Sequence, residues 1–111
     1  MQKSSVTYLR KKRKRLINQL REIETPLLRG SLIERYKRCG KSNCRCTKGQ
    51  EHGPSYYLSV SMAGLRPILI YVPLEHKKAV EEALTNYREV QQMLEKLSDI
   101  NRELLARRIA F

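Results

Sequence analysis

The chain predicts an α+β protein: a basic N-terminal helix, a small antiparallel sheet with a Cys-rich knuckle, and a long C-terminal helix suited to coiled-coil-like pairing. Three patterns carry the prediction. Apolar residues recur at helical spacing early in the chain, two alternating runs flank a Gly-containing turn in the middle, and a heptad repeat fills the last third. The expected organisation is a basic helix over residues 1–30, a β region over 31–73 and a helix over 74–111.

Residues 4–28 are expected to be helical, with Ser4 or Ser5 as the N-cap. Leu9, Leu16, Leu20, Ile23 and Leu27 form one stripe, spaced 7, 4, 3 and 4. Arg13 interrupts that stripe, Pro26 disturbs the last turn, and Arg29-Gly30 is the expected exit. Ser31 to Arg38 can be extended, with Leu32 and Tyr36 on one face. The knuckle, residues 39–54, ends at the turn signal Gly53-Pro54.

Ser55 to Met62 alternates cleanly. Tyr56, Leu58, Val60 and Met62 face one way; Tyr57, Ser59 and Ser61 face the other. Ala63-Gly64 can reverse the chain into a second strand, Leu65 to Val72, with Ile68, Ile70 and Val72 on one face. Pro67 suggests an edge position or a late strand start. After Pro73, the positions Val80, Ala83, Tyr87, Val90, Leu94, Leu97, Asn101 and Leu104 make a heptad seam. Asn101 could fix its register, unless neighbouring Ile100 takes the core place. The N-terminal stripe can mate with this seam within the chain, giving an antiparallel stalk, or between chains, giving a homodimer through the helices. The sequence leaves both open.

The formal charge is +12, and its distribution is uneven. Residues 1–50 hold 15 Lys+Arg and 3 Asp+Glu, whereas residues 51–111 hold 8 of each. A basic half on a neutral half points to a polyanion, with nucleic acid ahead of an anionic membrane surface. No apolar run is long enough to span a bilayer. The start of the chain lacks the apolar core of a signal peptide. A cytoplasmic or nucleoid-associated protein with reduced thiols is therefore expected, without a membrane partner.

Cys39, Cys44 and Cys46 lie within eight residues, and His52 follows six positions later. Clustered thiols with a nearby imidazole suit a tetrahedral zinc site. In an extended segment Cys44 and Cys46 point the same way while Arg45 points away. Reduced structural thiols are the plainer alternative, and a redox role is a third, since nearby cations lower thiol pKa values. A β region of this size gains from a metal staple or from packing on helices.

Arg10, Lys11, Lys12, Arg13, Lys14 and Arg15 are six consecutive cations. On a helix they cover every face, which suits contact with phosphates; a solvated face is the plainer reading. Around the knuckle, Arg35, Lys37, Arg38, Lys41, Arg45 and Lys48 add a second basic group. Tyr57, with Tyr36 or Tyr71, could stack on an unpaired base, although half-buried strands favour tyrosine anyway. No catalytic triad surrounds His52, and the clustered carboxylates of a two-metal nuclease are missing, since Asp99 is the single Asp.

The strings Arg29-Gly30-Ser31-Leu32, Arg38-Cys39-Gly40-Lys41, Cys44-Arg45-Cys46, His52-Gly53-Pro54 and Tyr56-Tyr57-Leu58-Ser59 resemble a family of small, basic, uncharacterised prokaryotic proteins. Val72-Pro73-Leu74-Glu75-His76 and a long C-terminal helix extend the resemblance over about residues 29–105. The resemblance implies a setting near transposase-type genes and names no activity. It adds His76 as a candidate ligand, beside its plainer reading as a solvated histidine at the start of the helix.

The expected function is non-enzymatic nucleic-acid binding, with DNA ahead of RNA. Zinc is held by Cys39, Cys44, Cys46 and His52, and the two basic groups contact phosphates together with Tyr57. The alternative is an adaptor whose helix docks on a protein such as a recombinase. A third reading is an enzyme subunit completed by a partner.

Overall fold

The computed structural model describes residues 4–37 and 52–111. Its elements are α1 (Val6–Arg21), β1 (Ser31–Lys37), β2 (His52–Val60), β3 (Ile68–Val72), a single 3-10 turn (Leu74–His76) and α2 (Lys77–Ala106). The fold is α+β: an N-terminal helix, a three-stranded antiparallel sheet and a long C-terminal helix. Two compact units divide the chain, Met1–Pro26 with Asn86–Phe111, and Leu27–Thr85.

In the first unit, α1 starts at Ser5, whose hydroxyl accepts the Tyr8 N–H at 3.0 Å. That bond satisfies one of the amides a helix start leaves unpaired. The helix stops at Arg21, earlier than the expected residue 28. Pro26 accounts for much of this. Its ring clashes with the carbonyl four residues back and drives Thr25 out of the α region. Leu9 and Leu16 are buried as expected, while Leu27 is exposed and belongs to the other unit.

The helices of this unit pair within the chain and run antiparallel. Arg107 Nη1 donates to the Ser4 carbonyl at 2.7 Å, Arg13 to Asn101 at 3.1 Å, and Asn86 Nδ2 to the Pro26 carbonyl at 3.4 Å. Leu9, Leu16, Ile100 and Leu104 form the core, joined by Val6, Met93, Leu97 and Ile109. The inward set on α2 is thus Met93, Leu97, Ile100 and Leu104. Leu97 and Leu104 keep their expected seam places, but the alternate positions shift by one residue: Leu94 is 53% exposed, Met93 packs on the core, and Ile100, not Asn101, is buried. Burying the apolar neighbour avoids desolvating an amide, which explains the choice.

The end of α2 is closed by a left-handed residue. Arg108 has φ 57°, its N–H donates to Leu105 O at 2.9 Å, and the Ile109 N–H donates to Leu104 O at 2.9 Å. This is the Schellman arrangement, with Ile109 folded back onto Leu104 and the core.

In the second unit the strand order is β1-β2-β3. Leu32 pairs with Leu58, and Leu58 with Ile70; Glu34 pairs with Tyr56, and Tyr56 with Val72. Tyr56, Leu58, Val72 and Leu84 form the core, with Leu28, Leu32, Val60 and Val80 against it. The expected faces of β2 are confirmed for Tyr56, Leu58 and Val60. Tyr36 departs from Leu32, being 52% exposed. A register shift lies between Arg35 and Lys37: Arg35 pairs with Ser55, but Lys37 pairs with His52. Two residues of β2 therefore face one of β1 there, a bulge that breaks the alternation beside Pro54.

β3 begins at Ile68, three residues after the expected Leu65 and directly after Pro67, which delays the strand start. The loop before it turns at Ala63-Gly64, where Leu65 N–H donates to Met62 O at 3.2 Å and Gly64 has φ 69°. Glycine meets the positive φ of the third turn position at no steric cost. Ile68 and Ile70 are exposed although they share a face with Val72, because β3 is an edge strand whose far end the core does not cover.

Gly30 is not a helix exit. It leads into β1 with φ 145°, and an added Cβ would lie 2.7 Å from the Ser59 carbonyl oxygen. Leu28 N–H donates to the Ala83 carbonyl at 3.1 Å, and Arg29 Nη1 to the Ser61 carbonyl at 2.9 Å. Those two bonds tie the segment before β1 to α2 and to the loop after β2.

Candidate nucleic-acid interface

Helical geometry sorts the six cations of α1. Leu9, Arg13, Leu16 and Leu20 follow the inward 4-3-4 spacing, so Arg13 lies in the stripe itself. Lys11, Lys14 and Arg15 are related by three and four residues and are all exposed. Lys12 and Arg13 are half-buried, and Arg10 is exposed.

Two of the six have structural duties. Arg13 Nη1 donates to Asn101 Oδ1 at 3.1 Å. Arg10 Nη2 donates to the Ala110 carbonyl at 3.2 Å, beyond the end of α2. The outward set is therefore smaller than the sequence run, with Lys11, Lys14 and Arg15 presented together.

The antiparallel pairing also brings in cations that a charge count by halves assigns to the neutral part of the chain. Arg107 Nε pairs with Glu103 at 2.7 Å while its Nη1 holds Ser4, and exposed Arg108 follows it. The signal was present in the sequence: an antiparallel pairing of stripe and seam sets the first turns of α1 beside the last turns of α2. Arg102 forms an ion pair with Asp99 at 3.2 Å on the solvent side.

The second basic group is only partly described. Arg35 lies on β1 with its guanidinium carbon 5.7 Å from the centre of the Tyr57 ring. Lys37 and His52 are placed through their backbones as partners across β1 and β2. Arg38, Cys39, Lys41, Cys44, Arg45, Cys46 and Lys48 lie outside the described residues. Among the described residues no group of three or more His, Cys, Asp or Glu is arranged to hold a metal ion. His76 is exposed in the 3-10 turn, where its N–H donates to the Pro73 carbonyl at 2.9 Å.

Tyr57 and Tyr71 are partners across β2 and β3. Their ring centres are 5.8 Å apart at 68°, an edge-to-face contact. On the opposite face Lys77 Nζ lies 4.7 Å from the centre of the Tyr56 ring and 3.4 Å from a Glu81 oxygen. The Glu81 carboxylate first, and Tyr56 second, hold the Lys77 ammonium above its ordinary pKa.

No helix among the described residues is long and apolar enough to cross a membrane. No curated protein and no solved structure matches the chain. One family model does, over residues 7–82, a span that takes in the basic helix, the whole sheet and the start of α2. The chain belongs to that family, DUF6788, a domain of unknown function.

Proposed function

We propose that this chain is a non-enzymatic nucleic-acid-binding protein, with DNA ahead of RNA, stapled by zinc and linked to a mobile element. The observation that carries the reading is the outward triad of α1. Lys11, Lys14 and Arg15 are exposed at helical spacing, and none is held by an ion pair among the described residues. Cations presented in that way neutralise phosphates and release counterions. The mobile-element setting rests on the sequence resemblance.

Zinc would be held by Cys39, Cys44, Cys46 and His52, donors of the right chemistry for a closed tetrahedral site. Support comes from the register. Lys37 lies opposite His52, so the connection between β1 and β2 leaves and rejoins the sheet at one place. Cys39 follows Lys37 by two residues. The metal would supply folding free energy, with no part in chemistry.

Binding of labelled duplex and single-stranded oligonucleotides at moderate salt tests the reading. Metal analysis of protein purified without chelator, beside Cys44→Ser, tests the staple. Saturable binding and one zinc per chain, lost in the variant, are expected. Absence of affinity for either nucleic acid rejects the function, and metal-free folded protein rejects the staple.

A protein-binding adaptor is the second reading. Leu94 and Leu105 favour it, being 53% and 63% exposed along α2. Such an adaptor would show a partner-dependent mass in gel filtration and no affinity for polyanions.

A further inference from the structure

The outer face of the sheet has properties that the charge of α1 does not explain. Strand register places Ile33, Tyr57 and Tyr71 in one row across all three strands. The next row holds Ser31, Ser59 and Leu69. Arg35 and Ser55 form the row on the other side. The core of this unit lies on the opposite face, where Tyr56, Leu58 and Val72 meet Leu84 from the start of α2.

Tyr71 is 60% exposed on this outer face, at the β3 end of the row, with Tyr57 beside it on the central strand. Its edge-to-face contact with Tyr57 fixes the tilt of the pair. Ser55 and Ser59 flank Tyr57 along β2 on the same face, so small side chains surround the aromatic pair on that strand. The ionised group that register assigns to these rows is a cation, Arg35, and it already lies over the Tyr57 ring.

A hydrophobic protein partner would meet Ser31, Ser55 and Ser59 beside Ile33, Leu69 and the tyrosines, and would leave the Arg35 guanidinium without an anion. Duplex DNA would find no unstacked base to offer the rings. An unpaired base fits both features. It gains a stacking partner in the exposed tyrosine, and its phosphate meets a guanidinium with no facing carboxylate among the described residues.

We infer that the outer face of the sheet, centred on Tyr71 with Tyr57 and Arg35, binds single-stranded nucleic acid by stacking an unpaired base. This inference rests on the nucleic-acid reading above and narrows its substrate class to single strands or melted junctions. Tyr71 supplies the stacking face. Tyr57 positions it from the neighbouring strand, and Arg35 supplies the charge on a phosphate or a second stacking plane.

The test uses the full chain and a fluorescein-labelled oligo-dT of about 20 nucleotides, beside a duplex of the same length. Tyr71→Val removes the ring yet keeps β propensity at an exposed edge-strand position, so folding is retained. Tyr71→Phe restores the ring without the hydroxyl. Oligo-dT affinity should fall roughly 5- to 150-fold in Tyr71→Val and stay within about twofold in Tyr71→Phe. Duplex affinity should change less than about twofold in both. The chain has no Trp, so quenching of tyrosine emission by oligo-dT gives a second readout, reduced in Tyr71→Val. Unchanged oligo-dT binding in a folded Tyr71→Val overturns the inference while polyanion binding by α1 stands. No binding of either probe by the wild type overturns both.

Discussion

The Arg13 guanidinium donates to the side-chain oxygen of Asn101 at 3.1 Å, joining the polar interruption of the N-terminal stripe to the polar interruption of the C-terminal seam. Both residues are half-buried, so the bond is shielded but not dry. Each partner satisfies the other in a row otherwise filled by Leu9, Leu16, Ile100 and Leu104.

Removing either partner alone leaves the other without its bond. Arg13→Leu and Asn101→Leu should each cost about 1–2 kcal/mol in denaturant unfolding. The double variant restores an apolar row and should lie near wild-type stability, a coupling of about 2–4 kcal/mol, the sum of the two single losses. Additive losses in the cycle would show that the bond carries no stability.

Arg108 is the described non-glycine residue with positive φ, at 57°. Arg108→Gly should raise the thermal midpoint by about 3–6 °C, corresponding to about 1 kcal/mol for a left-handed position. The gain should appear without loss of the Ile109 contact, since the backbone bonds to Leu104 and Leu105 remain. A lower midpoint would mean that the Arg108 side chain stabilises the end of α2.

Gly30→Ala places a Cβ 2.7 Å from the Ser59 carbonyl oxygen at φ 145°. Backbone and not a flexible side chain is in the way, so the strand start must shift. A loss of about 1–3 kcal/mol in unfolding free energy is expected. Unchanged stability would show that β1 can be displaced freely at its first residue.

Lys77 sets a pH dependence with a definite sign. Its pKa is raised above the ordinary 10.5, chiefly by its bond to Glu81 and then by Tyr56. A raised cationic pKa gives stability that is fully present below the unfolded value and is lost as pH rises through the folded one. The stability difference between wild type and Lys77→Met should therefore be flat from about pH 7 to 9 and shrink only above 10.5. A difference that changes between about pH 7 and 9 would assign the effect to another group.

Much of this fold was legible from local patterns. Alternation at Tyr56, Leu58 and Val60 marked the buried face of β2, and Pro67 marked the start of β3, because strand geometry enforces period two and proline cannot enter a ladder freely. The end of α1 was overestimated, because Ile23 and Leu27 keep helical spacing past the point where Pro26 forbids it. The one-residue shift at alternate positions of the α2 seam was less legible. Met93-Leu94 and Ile100-Asn101 each offer adjacent candidates, and only the pairing with α1 selects between them. The same pairing decides which of the six cations face outward, so the sequence run named the residues without dividing their tasks.

The central claim is that the outward cations of α1 bind phosphates, and salt dependence tests it most directly. Lys11→Gln, Lys14→Gln and Arg15→Gln, combined in one chain, leave Arg10 and Arg13 and their bonds in place. The slope of log K against log salt should fall by about 2.7 on duplex DNA, or about 2.1 on single strands, if each residue makes one phosphate contact. An unchanged slope in the folded triple variant would contradict the account.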